Sequence, residues 1–333
     1  MDNTPHDSAG WQPSASREML QARAQMLAQI RGFFAERDVL EVETPVLSRA
    51  GTTDPNIDSF QTRYQGPGLP LGQTLYLATS PEFHMKRLLA AGSGDIYQIS
   101  RVFRQTEFGR WHNPEFTLLE WYRVGFDLHR LMREVEQLVR QLMMPQREFQ
   151  STEFISYREV FQRHLALDPL TASPWQLQQC AVSLHIDVSG LALEDRDAWL
   201  DLLMSHVVQP HLGSEGMSFV HDYPATQAAL ARLKPVSIPV AERFELFVDG
   251  VELANGYHEL DDPREQALRF AGDLAQRQQR GLMDVTPDQC LIEALHHGLP
   301  DCCGVAIGID RLLQVKFGTK TLHSGLAFPL NRA

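Results

Sequence analysis

Residues 101–116 read RVFRQTEFGRWHNPEF, and this stretch decides the fold because it joins two predicted strands through a polar loop. The strands are predicted over residues 95–104 and 115–123, and the loop between them is dense in Arg, His and Asn. The planar guanidinium of arginine binds phosphate oxygens in pairs, so this loop suits a site that holds a triphosphate and stabilises charge at its α-phosphorus. A solvated hairpin tip that carries surface arginines would explain the same residues.

A second hairpin is predicted over residues 243–260, around a two-residue Asp-Gly turn at residues 249–250. Side chains alternate between the two faces of a strand, which places Glu245 and Glu252 on one face and diagonal to each other. Two carboxylates in this position repel unless a cation joins them, and Mg²⁺ prefers oxygen ligands. The alternative is an exposed edge hairpin with acidic residues.

The last carboxylate of this hairpin, Glu259, has the opposite parity and would face away from Glu252 in a regular strand. A β-bulge reverses the parity of the residues beyond it, and a glycine inside a strand often marks such a bulge. We therefore expect a bulge at Asn255-Gly256, which would return Glu259 to the face of the other two carboxylates.

An apolar strand with an internal glycine is predicted over residues 305–309. Gly308 would permit a flat ring or a backbone to approach the strand closely. A helix should follow at Asp310, which we expect to cap it, so that Arg311 projects from the first turn. A buried strand followed by a capped helix, without any ligand, is the alternative.

The remaining pattern predicts helices and short strands. One helix is expected after an N-cap at Ser16, a strand at residues 74–77, and a second helix after a cap at Ser80 with Pro81 in its first position. Further helices are predicted at residues 127–143, 263–280 and 287–297, while residues 150–235 are predicted to be mostly helical and chemically quiet. Strands connected by hairpins as well as helices predict an α+β fold, with an antiparallel β-sheet flanked by helices. We expect a flexible N-terminal tail, residues 1–15, and one domain over residues 16–333.

Composition limits the possible partners and location. The sequence has 30 Lys and Arg against 42 Asp and Glu, a net charge of −12, whereas nucleic-acid-binding proteins normally show a basic excess. The first residues lack the basic and apolar regions of a signal peptide, and no apolar stretch approaches the length of a membrane span. The four cysteines form no CxxC pair. We expect a cytoplasmic protein without membrane contact.

Taken in order, these stretches resemble the three motifs of class II aminoacyl-tRNA synthetases. Residues 32–45 are similar to motif 1, residues 102–116 to motif 2 and residues 304–311 to motif 3. Residues 112–122 and 252–260 are very similar to lysyl-tRNA synthetases, but motif 1 begins within about 30 residues of the start, which leaves no room for an anticodon-binding domain. The resemblance is therefore to the truncated paralogues, the elongation factor P (R)-β-lysine ligases, over nearly the full length.

This resemblance implies an ATP-dependent ligase that works with Mg²⁺. It would activate (R)-β-lysine as an aminoacyl-adenylate and transfer it to the ε-amine of a lysine of translation elongation factor P, acting as a homodimer through motif 1. A minimal lysyl-tRNA synthetase is one alternative, and the acidic charge argues against tRNA as its partner. A non-catalytic paralogue is another, although such proteins should lose the phosphate-binding and metal-binding residues that this chain retains.

The resemblance also implies residue roles. Arg104 would bind the α-phosphate and the substrate carboxylate, while His112 and Arg311 would hold the far phosphates, with Arg110 a weaker candidate and Phe116 stacking on adenine. The implied ATP-binding residues are Arg104, Gln105, Thr106, Glu107, His112, Asn113, Phe116, Glu252, Leu253, Gly308 and Arg311, and the implied Mg²⁺ ligands are Glu245 and Glu252. The residues implied to bind the amino-acid substrate are Ser80, Pro81, Glu82, Glu120, Tyr122, Asn255, Glu259 and Ala306. Of these, Glu82 would bind the amino group near the carboxylate. Glu259, Tyr122 and Glu120 would surround the side-chain ammonium.

Two positions depart from the family patterns. Class II motif 2 usually has a glutamate that accepts from the adenine amine where this chain has Thr106, and a glutamate follows one residue later, at Glu107. Either the loop shifts so that Glu107 reaches adenine, or backbone groups recognise the base. Ala306 stands where lysyl-tRNA synthetases have glycine, and its methyl group would favour a β-amino acid over α-lysine by about 1–3 kcal/mol.

Overall fold

The computed structural model describes residues 11–333, and within them a large sheet is flanked by helices. The strands are β1 (Leu40–Glu41), β2 (Leu47–Ser48), β3 (Gln61–Arg63), β4 (Thr74–Leu77), β5 (Ile96–Phe103), β6 (Glu115–Val124), β7 (Ser151–Ser156), β8 (Gly216–Pro224), β9 (Leu233–Lys234), β10 (Val240–Val248), β11 (Val251–His258) and β12 (Cys302–Gly308). The helices are α1 (Arg17–Ala35), α2 (Glu82–Ala90), α3 (Leu128–Met143), α4 (Tyr157–Leu165), α5 (Pro174–Ser183), α6 (Arg196–Leu203), α7 (Pro263–Gln279), α8 (Gln289–His297) and α9 (Ile309–Phe317).

The main sheet runs in the order β1-β5-β6-β12-β11-β10-β8-β7, with β9 paired to β10. Neighbouring strands are antiparallel except at the two edges, where β1 pairs with β5 and β7 pairs with β8 in parallel. A separate small sheet has the order β2-β4-β3. This architecture confirms the predicted α+β fold with a mainly antiparallel sheet flanked by helices.

Several local predictions are confirmed because short-range chemistry determines them. The backbone N–H of Met19 donates to Ser16 Oγ at 3.2 Å, which caps α1. Strand β4 has the predicted bounds. The turn between β10 and β11 has φ of 51° at Asp249 and 71° at Gly250, the positive values that a tight hairpin turn requires. Helix α2 was predicted to have Ser80 as its N-cap and Pro81 in its first position, but it begins at Glu82 and its N-cap is Pro81. Ser80 Oγ still accepts from the backbone N–H of Glu82 at 2.9 Å.

The prediction that residues 150–235 are mostly helical is wrong. Strands β7, β8 and β9 lie in this segment, and β8 is an inner strand between β10 and β7. Its first five residues, 216–220, are all buried, so they show no alternation of polar and apolar side chains. A strand covered on both faces cannot be distinguished from a buried helix by periodicity.

Asp310 does not cap the last helix, which corrects a second prediction. The N-cap of α9 is Gly308, and no side chain caps it. The carboxylate of Asp310 is buried and accepts instead from Arg23 Nη2 of α1 at 2.6 Å and from the backbone N–H of Thr117 at 2.7 Å. This residue therefore joins α1, β6 and the start of α9.

One face of the main sheet packs on α1, α3 and α9, and this packing leaves the other face for the cavity. On the packed face, the Phe34 ring of α1 stacks on Tyr97 at a centroid distance of 4.4 Å and meets Trp121 edge-on at 5.3 Å. The indole Nε1 of Trp121 donates to buried Glu134 at 3.0 Å, so the polar atom of the ring is satisfied.

The predicted tail, residues 1–15, lies mostly outside the described residues. At its end, the backbone N–H groups of Ser14 and Ala15 donate to the carbonyls of Ala327 and Leu326 at 2.8 and 3.1 Å. None of the helices formed by residues 11–333 has both the length and the apolar character needed to span a membrane.

Candidate active site

A cavity of about 1400 Å³ lies over the free face of the sheet. Its floor contains a row of directly opposed residues that crosses four strands. Glu120 on β6 faces Ala306 on β12, Ala306 faces Asn255 on β11, and Asn255 faces Glu245 on β10. Opposed residues of antiparallel strands present their side chains on the same face, so one row places carboxylates at both ends of the cavity floor.

The predicted bulge in the second hairpin is present, but not at Asn255-Gly256. Ala254 pairs with Leu246 and Glu252 pairs with Phe247, so Leu253 on β11 is the extra residue. Glu245 therefore faces Asn255 across the hairpin. Beyond the bulge, the parity of β11 is reversed, and Asn255 shares the cavity face with Glu252.

A second row lies next to the first and contains a glycine where a side chain cannot fit. Tyr122 on β6 faces Gly304 on β12, and Gly304 faces Tyr257 on β11. A Cβ at position 304 would lie 2.3 Å from Tyr122 Cε1 and 2.5 Å from Glu259 Oε1. The absence of a side chain at Gly304 therefore creates the space that the Tyr122 ring and the Glu259 carboxylate occupy.

Cations gather at one end of the cavity. Arg311 Nη2 lies 2.7 Å from His112 Nε2, and Arg311 Nη1 lies 3.3 Å from a carboxylate oxygen of Glu252. Burial and then Arg311 lower the pKa of His112, which keeps its imidazole neutral. Arg104 Nη1 lies 3.1 Å from Glu107 Oε1, and its buried Nε has no hydrogen-bond partner within residues 11–333. This end therefore has donors available for an anion.

The two carboxylates predicted to hold Mg²⁺ share the cavity lining, each beside an arginine. Glu245 is ion-paired with Arg243 and accepts from Tyr223 Oη at 2.7 Å. Burial raises the pKa of Glu245, Arg243 opposes this, and Glu252 adds to the increase. The structure from residue 11 onward contains no cluster of three or more His, Cys, Asp or Glu that could enclose a metal. Two carboxylates fit a Mg²⁺ ion that takes its other ligands from phosphates and water.

Carboxylates gather around α2 and β6. Glu120 is 3% exposed and accepts from Ser80 Oγ at 3.1 Å, and Glu259 is 1% exposed. One oxygen of each, Glu120 Oε1 and Glu259 Oε1, is buried without a hydrogen-bond partner in the described chain. Burial and then Glu82 raise the pKa of Glu120 to about 8. Buried carboxylate oxygens without partners indicate that a cationic or hydrogen-bonding ligand belongs here.

Lys86 is a residue of this cluster that the sequence analysis missed. It is 1% exposed, and its Nζ lies 2.6 Å from Glu259 Oε2 and 2.7 Å from Glu82 Oε1. Burial alone would lower the pKa of Lys86, but Glu259 and Glu82 outweigh it and raise the pKa above its ordinary value. The only signal in the sequence was the spacing of four residues between Glu82 and Lys86, a common exposed pair on helices.

Most of the predicted site residues line this one cavity. They are Ser80, Glu82, Arg104, Glu107, His112, Asn113, Phe116, Glu120, Glu245, Glu252, Leu253, Asn255, Ala306, Gly308 and Arg311. Five others do not line it, namely Pro81, Gln105, Thr106, Tyr122 and Glu259. Tyr122 is buried in the second row and the buried Glu259 carboxylate lies beside Gly304 of that row, whereas Gln105 and Thr106 are exposed.

The structure bears on the predicted roles of several residues in the motif 2 loop. Glu107 reaches the cavity and Thr106 does not, which favours the alternative in which Glu107 approaches the base. Arg110, the weaker phosphate candidate, is exposed and donates through Nε to the Lys320 carbonyl at 2.9 Å. The side-chain amide of Asn113 is already hydrogen-bonded within the protein, because its Nδ2 donates to the Glu115 carbonyl at 2.6 Å.

A mainly antiparallel sheet with the residues of motifs 2 and 3 around one cavity is the arrangement that the resemblance to class II synthetases implied. Residues 9–332 match the sequence model of the family described as tRNA synthetases class II (D, K and N), and the chain belongs to this family. Within it, the chain is 51% identical over 327 residues to the elongation factor P–(R)-beta-lysine ligase of Yersinia enterocolitica, covering 98% of this chain and 99% of the relative. It is 50% identical, with the same coverage, to the proteins of that name from Salmonella paratyphi B and Salmonella schwarzengrund. These relatives confirm the resemblance that the motifs indicated.

Proposed function

We propose that this protein is an ATP-dependent ligase that activates (R)-β-lysine as an aminoacyl-adenylate and transfers it to a lysine ε-amine of translation elongation factor P. The observation that carries the proposal is the presence in the cavity of buried polar atoms of both charge types that have no partner among residues 11–333. Within the described chain, a carboxylate oxygen, Glu120 Oε1, and a guanidinium nitrogen, Arg104 Nε, lie buried without partners among residues that line the same cavity. A diamino acid needs the first group, and a triphosphate needs the second.

The first reaction joins the two substrates. A carboxylate oxygen of β-lysine attacks the α-phosphorus of ATP, the bond to the bridging oxygen breaks, and pyrophosphate leaves. No enzyme nucleophile is needed, so catalysis consists of alignment and charge stabilisation. We assign Arg104 to the α-phosphate and the substrate carboxylate, because it lines the cavity and its buried Nε has no hydrogen-bond partner in the described chain. His112 and Arg311, in contact at 2.7 Å, would hold the far phosphates.

The second reaction transfers the acyl group. The neutral ε-amine of the acceptor lysine attacks the carbonyl carbon, and AMP leaves with the electrons of the acyl–phosphate bond. The incoming ammonium must first lose a proton, and a carboxylate near the cavity can accept it. Glu245 and Glu252 would hold Mg²⁺, which supplies charge neutralisation for the phosphates when bound.

The acceptor and the assembly are part of the same proposal. The relatives are named for their action on elongation factor P, and the net charge of −12 disfavours binding of tRNA phosphates. An acceptor that takes part in translation implies a cytoplasmic location. We also propose a homodimer through motif 1, because Leu40 in this motif and Leu47, two residues beyond it, expose 56% and 43% of their surface in the single chain.

The test has two stages. ATP–pyrophosphate exchange is measured with (R)-β-lysine and α-lysine in parallel, and labelled amino acid is then offered to elongation factor P and to total tRNA in separate reactions. We expect exchange with β-lysine and label in the protein. Arg104→Ala should abolish exchange while the circular dichroism spectrum stays that of the native protein. Label in tRNA and none in the protein would favour the minimal synthetase instead.

A further inference from the structure

The amino-acid end of the cavity contains a cation of its own. Lys86 projects from the second turn of α2 and contacts Glu82 at 2.7 Å and Glu259 at 2.6 Å. It is 1% exposed and does not belong to the cavity lining, so it cannot contact a substrate phosphate directly. Lys86 therefore acts on the site through the two carboxylates that it joins.

The charges of this cluster can be counted from the structure. Lys86 contacts the carboxylates of Glu82 and Glu259, and both of these interact with a third carboxylate, that of Glu120. Three carboxylates and one ammonium leave two negative charges when every group is ionised. A diamino acid carries two ammonium groups, and its own carboxylate would meet Arg104. Isolated charges are very costly in a buried site, so equal numbers of opposite charges are required for tight binding.

We propose that Lys86 is a positioning and specificity-determining residue, a built-in ammonium that fixes the charge of the amino-acid pocket at the value that matches a diamino acid. It also restrains the Glu259 carboxylate through Oε2, and Oε1 stays free for hydrogen bonding beside Tyr122. This inference rests on the proposed function. It adds a reason why a pocket with three carboxylates selects two ammonium groups rather than three.

A double-mutant cycle tests the inference, with KM for (R)-β-lysine in ATP–pyrophosphate exchange as the readout. Lys86→Met keeps the length of the side chain and leaves three carboxylates without an internal cation, so the cluster must take up one proton more than in the wild type, which the substrate then has to displace. Glu259→Gln leaves Lys86 to repel the substrate. We expect each single variant to raise this KM at least about tenfold, while KM for ATP changes less than twofold.

The double variant, Lys86→Met with Glu259→Gln, restores two net negative charges. We expect its KM for β-lysine to lie below that of either single variant, because the two residues act as one unit. Lys86→Arg, which keeps the cation, should bind β-lysine better than Lys86→Met. The matched control is Lys234→Met, which breaks the 2.7 Å ion pair with Asp222 outside the cavity and should leave both KM values within twofold of wild type.

The outcomes separate the two proposals. A wild-type protein that shows no exchange with either lysine refutes the proposed function. An active wild type with Lys86→Met unchanged in KM, or with a double variant as weak as the product of the single effects, refutes the role of Lys86 alone. If Lys86→Met does not fold, the double variant, which carries the same net charge in this cluster as the wild type, still decides, since its KM must lie below that of Glu259→Gln.

Discussion

Glu120 should make substrate binding depend on pH in a direction that the structure determines. Burial and the neighbouring Glu82 raise the pKa of Glu120 to about 8, from an ordinary value of 4.5. Below pH 8 the free protein therefore holds a proton on this carboxyl group. A substrate ammonium stabilises the ionised form, so the pKa falls on binding and the proton is released. Binding is strongest above pH 8 and weakens as the pH falls.

The size of the effect follows from proton linkage. If Glu120 stays ionised in the complex, only the ionised fraction of the free protein binds the substrate. The apparent affinity is then lower than that of the ionised protein by a factor of one plus ten to the power (pKa − pH), where the pKa is that of Glu120 in the free protein. Between pH 8 and pH 6 this factor rises from about 2 to about 100, so KM for β-lysine should increase about fiftyfold, with a limiting slope of about tenfold per pH unit. KM for ATP should not follow this profile.

The assay is ATP–pyrophosphate exchange at half-unit steps from pH 6 to pH 8, with KM measured for both substrates. Glu120→Gln cannot release a proton, so it should bind β-lysine weakly and without this slope. Glu120→Gln should also be more stable than wild type at pH 8, by roughly 2 °C or more in Tm, because the raised pKa destabilises the native protein progressively between pH 4.5 and 8. A flat KM profile in the wild type, or the same slope in Glu120→Gln, would show that Glu120 does not bind the ammonium.

Three further expectations follow from the site and the surface. Arg311→Ala removes the contacts with His112 and Glu252 and should lower the exchange rate at least about 100-fold with the circular dichroism spectrum unchanged; retention of more than a tenth of the rate would contradict this. Gly304→Ala should lower the free energy of unfolding in urea by about 1–3 kcal/mol, because the methyl overlaps the Tyr122 ring, whereas Gly32→Ala in α1, with nothing within 4 Å of the new methyl, should not destabilise the fold. Light scattering at micromolar concentration should give the mass of a dimer, and a monomer would count against the interface proposed at motif 1.

The sequence predicted those elements whose causes are local. The Asp-Gly turn at residues 249–250, the cap at Ser16 and the strand at residues 74–77 depend on neighbouring residues, and each was found where expected. The resemblance to class II motifs then brought residues from distant strands into one predicted site. Most of these residues do line one cavity in the structure.

The predictions that were wrong or missing concern features that depend on tertiary contacts. Strand β8 has no alternating pattern because both of its faces are buried, and the bulge lies at Leu253 because the pairing with β10 changes register there. Asp310 had the sequence of a helix cap, but its carboxylate accepts instead from a partly buried arginine of α1 and from a backbone N–H of β6. Lys86 had the spacing of an ordinary surface pair, and only its burial reveals its two partners.

The extra residue on β11, Leu253, makes the site sensitive to deletion of a single residue in this strand. Glu252, which we assign to the phosphate end, precedes Leu253, whereas Asn255 and Glu259, which we assign to the amino-acid end, follow it. Deletion of one residue here would make the strand regular and would turn everything beyond it by half a rotation, toward the hydrophobic side of the sheet. Loss of a single codon would thus keep the nucleotide end and erase amino-acid recognition, whereas most point substitutions in this strand change only one contact.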